Sequence, residues 1–144
     1  MTNAYSENYL KNQIETASRE QLLLMFYDGA IRFVSRAMQA IDNDDIEQRN
    51  YCIKKAGAII TELSVTLDHG IGGQIAADLE ALYDFMNREL LKANSAHDAE
   101  PLVIVKSLLT DLHETWKGAI EITKQAAKPT VIDVQEHKPL SVSL

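Results

Sequence analysis

The chain has few of the cysteines, long apolar runs and excess basic residues that are typical of disulfide-bonded, membrane-embedded and nucleic-acid-binding proteins. Its 144 residues include one cysteine, Cys52, which cannot form an intramolecular disulfide and favours a reducing compartment. No apolar run approaches the ~18 residues of a membrane span, and the N-terminal residues "MTNAYSENYLKNQ" lack the basic and apolar regions of a signal peptide. The 14 basic residues face 21 acidic ones, a net charge of −7, which argues against nucleic-acid or anionic-membrane binding. We therefore expect a cytoplasmic protein with no nucleic acid and no membrane among its partners.

Proline and glycine, which interrupt helices, are also scarce, at three and six residues. Apolar residues recur every three or four positions through long stretches, and this period predicts four helices over roughly 19–41, 45–68, 73–94 and 99–126. The turns between them are short, so neighbouring helices should run antiparallel. The predicted fold is all-α: an antiparallel four-helix bundle with a short N-terminal segment packing on it and a mobile C-terminal tail.

Local signals mark the helix ends. Ser18 with Gln21 three residues later predicts a capping box, and Asp44 is predicted to cap the second helix. The stretch "HGIGG" at 69–73 predicts a tight turn with a glycine at positive φ. The apolar stripes place Ile75 and Trp116 in the core.

Two segments lie outside the bundle helices. Residues 1–17 are mostly polar and form the N-terminal segment, which we include in a bundle domain of residues 1–126. Residues 127–144 contain two prolines and no helical period. They are therefore predicted to form a flexible tail.

No constellation of residues predicts catalysis, a metal site or a cofactor. None of the four histidines has a glutamate three residues upstream, as a di-iron bundle would require. Cys52 lies on the apolar stripe of its helix, the usual place of a small buried residue. The stretch "HETWKG" is similar to the phosphoacceptor sequence of histidine phosphotransfer bundles, but its lysine comes four residues after His113 and not three. We predict a non-enzymatic protein with a partly buried His113, and keep a phosphotransfer module as the alternative.

The segment "EQLLLMFYDGAIRFVSRAM", Glu20 to Met38, is more apolar than one side of a core requires. As a helix it carries apolar residues over an arc of about 200°, whereas a helix on one side of a core needs a little over 100°. Two explanations stay open: a central helix buried by its neighbours, or a groove kept for a partner's amphipathic helix. With a groove, we expect Leu24, Tyr27 and Ile31 to be partly exposed in the free protein.

Three blocks of the sequence resemble one known family, the flagellar export chaperones FliS. The stretches "YLKNQIETAS" and "EQLLLMFYDGAIRF" are similar to the family's N-terminal pattern, Tyr-Leu-x-x-Gln and then Gln-Leu…Met-Leu/Phe-Tyr-Asp-Gly-Ala. The stretch "LDHGIGGQIAADLEALYDFMNRELLKAN" resembles the second block, a Gly-Gly pair before a helix with Leu-Tyr-x-Phe/Tyr-Met that ends in Ala-Asn. The stretch "LLTDLHETWKGA" resembles the third, a leucine stripe ending in tryptophan.

The resemblance implies a cytoplasmic chaperone that binds the disordered C-terminal segment of flagellin. Such a protein prevents premature polymerisation and assists delivery to the flagellar export apparatus, with the export gate as a further partner. The resemblance also implies a role for the Tyr-Leu-x-x-Gln block. Together with the apolar arc, it gives the predicted partner-binding residues: Tyr9, Leu10, Gln13, Leu24, Tyr27 and Ile31.

The N-terminal segment has two open roles. It is either a displaceable lid over part of the groove or a hydrophobic staple that fixes the start of the following helix. A homodimer of the free protein, in which the arc is buried against a second copy, is a further alternative.

Overall fold

The computed structural model describes residues 4–127, which form five α-helices. These are α1 (Ala4–Thr16), α2 (Arg19–Asp42), α3 (Ile46–Val65), α4 (His69–Ala96) and α5 (Glu100–Ala127). None of the five is long and apolar enough to cross a membrane. Of the predicted tail, Ala127 is the last residue of α5, and residues 128–144 lie outside the described part of the chain.

Side-chain caps determine where α2 and α3 begin. The predicted capping box is confirmed: the Ser18 hydroxyl accepts from the Gln21 amide at 3.1 Å, and Gln21 Oε1 accepts from the Ser18 amide at 3.0 Å. The predicted cap of α3 is wrong by one residue. Asp45 is the N-cap and accepts from the Gln48 amide at 3.1 Å, whereas Asp44 lies in the turn at a φ of 55°.

The glycine-containing stretch at 69–73 is a helical turn followed by a kink. Asp68 caps α4 by accepting from the amide of Ile71 at 3.0 Å, so the helix begins at His69. Gly73 then leaves helical geometry, with φ 50° and ψ −123°. The predicted glycine at positive φ is confirmed, and a side chain would be strained at this position.

The helices pack as the antiparallel bundle predicted from the sequence. Helix α2 packs along α3, and α3 packs along α4. The turns of three residues between them reverse the chain direction. The core consists of one apolar stripe from each of the four helices α2 to α5. Its buried members include Tyr27, Ala30, Val34, Cys52, Ala56, Ile60, Leu63, Tyr83, Met86, Leu90, Leu102, Val105 and Leu109.

Helix α5 spans the boundary between two compact units, one ending at His113 and the other beginning at Glu114. In the first unit, the start of α5 contributes Leu102, Val105 and Leu109 to the core. From 114 to 127, no residue is fully buried, and Trp116 is half-buried. The prediction that Trp116 lies in the core is therefore wrong. The prediction for Ile75 is also wrong, because this side chain, two residues after the kink, is 68% exposed.

Candidate partner-binding site

The apolar arc of α2 has a buried centre and two half-buried sides. Its centre is the stripe Tyr27, Ala30, Val34 and Ala37, all with no exposed surface. The residues on either side of this stripe keep part of their surface in solvent. The width of the arc is therefore explained only in part by the core.

Tyr27 belongs to the centre of this arc, so the prediction that it is partly exposed is wrong. Its hydroxyl is hydrogen-bonded to the hydroxyl of Tyr83 on α4, and its ring stacks on His113 of α5, with centroids 6.3 Å apart and planes 17° apart. Burial, followed by the hydrogen bond from Tyr27, raises the pKa of Tyr83 far above its ordinary range. Tyr27 therefore joins α2 to α4 and α5 and offers no surface to a partner in this conformation.

Helix α3 covers one side of the arc. Phe33 packs edge-on against Tyr51 of α3 with ring centroids 6.3 Å apart, and Arg36 lies over the Phe33 ring. Gly29 allows close approach here, because a Cβ at this position would lie 3.4 Å from Cδ1 of Ile59. This side of the arc is used for packing within the protein.

The opposite side is the α2 edge, which we define as Leu24, Ile31 and Met38. These residues are seven apart, so they lie on one line along the helix at intervals of about 10 Å. All three are half-buried. Two of them, Leu24 and Ile31, were predicted to be partly exposed, and this is confirmed.

The other predicted residues lie on α1. Tyr9 and Leu10 are 67% and 51% exposed, and Gln13 is exposed as well. The structure thus shows the N-terminal segment as a helix with its apolar side chains in solvent, and it does not show this helix closed over the α2 edge. The lid remains a prediction about another state of the molecule.

A second surface, between α3 and α4, was not predicted. We call it the α3–α4 cleft, an open groove of about 450 Å³ lined by Asn50, Ile53, Lys54, Gly57, Thr61, Asn87, Leu90, Leu91 and Asn94. Its floor is apolar and its rim carries three asparagines. The one residue that could have indicated this cleft from the sequence is Leu91. It is an apolar residue beside the buried apolar stripe of α4, and it is 69% exposed.

One arginine organises the rim of the cleft near the end of the bundle. Arg49 donates from Nε to Oδ1 of Asn94 at 2.9 Å and from Nη2 to Oδ1 of Asn50 at 3.0 Å. It also donates from Nη1 to Nδ1 of His97 at 2.6 Å. Because arginine has only donors, Nδ1 must accept, so Nε2 of His97 carries the proton and donates to Asp44 at 2.8 Å.

Comparison with known proteins agrees with the resemblance found in the sequence. A family model described as flagellar protein FliS matches residues 1–123. The flagellar secretion chaperone FliS of Bacillus subtilis is 41% identical over 113 residues, covering 78% of this chain and 84% of the relative. The FliS chaperone of Campylobacter jejuni is 39% identical over 115 residues, covering 80% of this chain and 87% of the relative. That of Salmonella typhimurium is 36% identical over 115 residues, covering 79% of this chain and 85% of the relative.

Proposed function

The chain belongs to the FliS family of flagellar secretion chaperones, and from this premise we propose that it binds the disordered C-terminal segment of flagellin in the cytoplasm. The family is one of chaperones and not of enzymes. In this proposal the bound segment cannot polymerise, and the complex is delivered to the export gate of the flagellar apparatus. The cargo is then released for export.

The observation that carries the proposal is the α2 edge. Leu24, Ile31 and Met38 form an apolar line about four helical turns long, on the side of α2 that is not packed against α3. Such a line suits the apolar face of an amphipathic helix, which contacts a groove through residues three, four and seven apart. Tyr27 holds α2 in place beneath this line through Tyr83 and His113.

Helix α1 is the second element of the proposed site. Its exposed residues Tyr9, Leu10 and Gln13 lie on a short helix joined to α2 by Ala17 and Ser18. We propose that this helix closes over part of the α2 edge in the free protein and moves when cargo arrives. The short link supports this role, because it keeps α1 close to the N-terminal end of the α2 edge.

Reversible binding follows from the disorder of the cargo. A disordered segment that folds on binding loses conformational entropy, and this cost offsets part of the favourable contact energy. A large contact area is then compatible with release at the export apparatus. At the α2 edge, the proposed chaperone holds its cargo through apolar contacts, without a covalent step.

The test is co-elution of the full chain with a purified flagellin C-terminal peptide in size-exclusion chromatography. Ile31→Asp should abolish co-elution while a cooperative thermal transition remains, because a half-buried edge position can keep a carboxylate in contact with water. Ile46→Asp is the matched control, since Ile46 is exposed at the start of α3 and carries no role in the proposal. If Ile31→Asp unfolds the protein, or if it binds the peptide like wild type, the α2 edge is not the binding site.

A further inference from the structure

The end of α4 and the start of α5 form a further groove, which we call the α4–α5 groove. It is open to solvent and has a volume of about 360 Å³. Its lining residues are Glu89, Lys92 and Ala96 of α4, Asp98 of the turn, and Glu100, Pro101 and Ile104 of α5. None of them belongs to α1 or to the α2 edge. We propose that this groove docks a partner protein other than the cargo, by receiving an arginine side chain that has apolar residues beside it.

The proposal begins with Glu89, a carboxylate whose side chain is only 8% exposed. Lys92 donates from Nζ to its Oε2 at 3.1 Å. No hydrogen bond joins the other oxygen, Oε1, to any residue of 4–127. The same part of the chain has no fully buried side-chain oxygen without a partner, so Oε1 must reach the surface of the groove. Glu89 therefore presents an unused acceptor atom to whatever enters the groove.

The stability of the bundle does not explain why a carboxylate is buried here. Burial of a charged group disfavours folding unless the group is well paired. Lys92 is 69% exposed and lies one turn further along the same helix, so the pair is screened by water and does not join α4 to another helix. A contact with a cationic group from outside the chain accounts for Glu89 better than its contact with Lys92 does.

The charge of the α4–α5 groove favours a cation. Its lining includes three acidic residues, Glu89, Asp98 and Glu100, against one basic residue, Lys92. Asp98 is held at the start of α5, where its Oδ1 accepts from the amide of Glu100 at 3.0 Å. Among the described residues, no group of three or more His, Cys, Asp or Glu side chains could hold a metal ion. We therefore expect an organic cation as the ligand.

The apolar wall of the groove favours arginine as this cation. Ala96 and Pro101 line the wall, and Ile104 adds a side chain that is 39% exposed. The aliphatic stem of an arginine packs on such a surface while its guanidinium donates to carboxylates. A lysine ammonium is more strongly hydrated and cannot bind two oxygens in a planar fork.

The shape of the groove favours an arginine that belongs to a protein chain. The groove is open, so a free cation would keep much of its surface in water. Val103, the residue before Ile104 on α5, is 45% exposed and adds apolar surface to this part of the helix. Apolar neighbours of the arginine can contact this surface. The partner is therefore recognised by an arginine between apolar residues.

The experiment titrates the isotope-labelled full chain with the peptide N-acetyl-Leu-Arg-Leu-amide and follows backbone amide shifts by NMR. The amides of Lys92, Ala96 and Ile104 should shift, with a Kd of about 1–10 mM for so short a peptide. A peptide with citrulline, the neutral analogue of arginine, should bind at least about fivefold more weakly. Arginine amide, which lacks the leucines, should also bind at least about fivefold more weakly.

A pair of variants tests the role of Glu89. Glu89→Gln removes the charge and keeps the shape, and it should weaken binding of the arginine peptide by about tenfold. The variant should fold, because Lys92 is exposed and remains hydrated without its partner. Glu62→Gln is the matched control, since Glu62 is an exposed carboxylate on α3 outside the groove, and it should leave the affinity unchanged. If Glu89→Gln does not fold, the comparison with the citrulline peptide decides on wild-type protein alone.

Several results would overturn the proposal. Equal affinity for the arginine and citrulline peptides, or equal affinity of wild type and Glu89→Gln for the arginine peptide, would show that the carboxylate does not recognise the ligand. Arginine amide that binds as tightly as the peptide would make the groove a site for a free cation.

The other possible occupants are separated in the same way. Displacement of the arginine peptide by the flagellin C-terminal peptide would assign the groove to the cargo and refute a separate partner. A change in the oligomeric state of the free protein in Glu89→Gln would make the groove a contact between two copies of this chain and would also refute it. The titration itself uses no flagellin, so its result is independent of the proposed chaperone function.

Discussion

Removal of the hydroxyl group of Tyr83 should destabilise the bundle by about 1–3 kcal/mol, because the hydroxyl of Tyr27 is then left in the core without this partner. Both rings are buried, so water cannot replace the lost hydrogen bond. For a unit of this size, each kcal/mol lowers the melting temperature by about 4 °C. Tyr83→Phe should therefore melt about 4–12 °C below wild type.

A double-mutant cycle measures the pair itself. Tyr83→Phe in a Tyr27→Phe background should cost clearly less than it does alone, with a coupling of at least about 0.5 kcal/mol in urea or thermal unfolding. Tyr51→Phe is the control, since Tyr51 is 47% exposed and its substitution should change stability by less than about 0.5 kcal/mol. Additive effects of the two core substitutions would show that the hydroxyls do not stabilise one another, and would refute the reasoning.

The same pair should make the free energy of unfolding depend on pH in the alkaline range. Burial raises the pKa of folded Tyr83 above its ordinary value of 10.0, so the unfolded chain loses this proton at lower pH than the folded protein does. The stability linked to Tyr83 is therefore complete below pH 10 and falls above it, by up to about 1.4 kcal/mol per pH unit. The difference in unfolding free energy between wild type and Tyr83→Phe should shrink as the pH rises above 10. A constant difference would contradict the raised pKa.

Two further predictions concern α1 and the start of α4. If α1 docks over the α2 edge with ~1–2 kcal/mol, deletion of residues 2–15 should tighten binding of the flagellin peptide about five- to thirtyfold. Hydrogen exchange of Tyr9–Ile14 tests the lid directly. Equal and high protection of these residues with and without the peptide would refute it. Gly72→Ala should lower the melting temperature, because its Cβ would lie 2.9 Å from Cβ of Ala76. The control, Gly118→Ala, should raise the melting temperature, because alanine has the higher helix propensity. A higher melting temperature for Gly72→Ala would mean that the first turn of α4 can shift freely.

The sequence predicted the number and order of the bundle helices, but not all of their ends. An apolar period marks the middle of a helix, whereas its ends depend on local hydrogen bonds that several residues compete to make. Ser18 and Gln21 were identified because a capping box has its own spacing. Asp44 and Asp45 are adjacent carboxylates, and only the conformation of the turn decides that Asp45 becomes the cap.

The binding surfaces were predicted less completely, for a similar reason. The width of the arc on α2 showed that some apolar surface was left over, but the packing of Phe33 against Tyr51 determines which side is covered. Tyr27 was assigned to the exposed side because the sequence did not reveal its hydrogen-bond partner. That partner, Tyr83, lies 56 residues away in sequence. The α3–α4 cleft depends on the register between two helices, and isolated surface asparagines on each helix do not indicate it.

The pair formed by Asp44 and His97 has a consequence for the rim of the α3–α4 cleft. These two are the non-glycine residues with positive φ among residues 4–127, one in the turn before α3 and one in the turn after α4. Their hydrogen bond ties the two strained turns together, and Arg49 connects His97 to Asn94 on the rim of the cleft. One series of hydrogen bonds thus runs from the turn before α3, through the turn after α4, to an amide of the cleft rim. A change in the conformation of either turn would alter the contacts that orient a surface which neither turn lines.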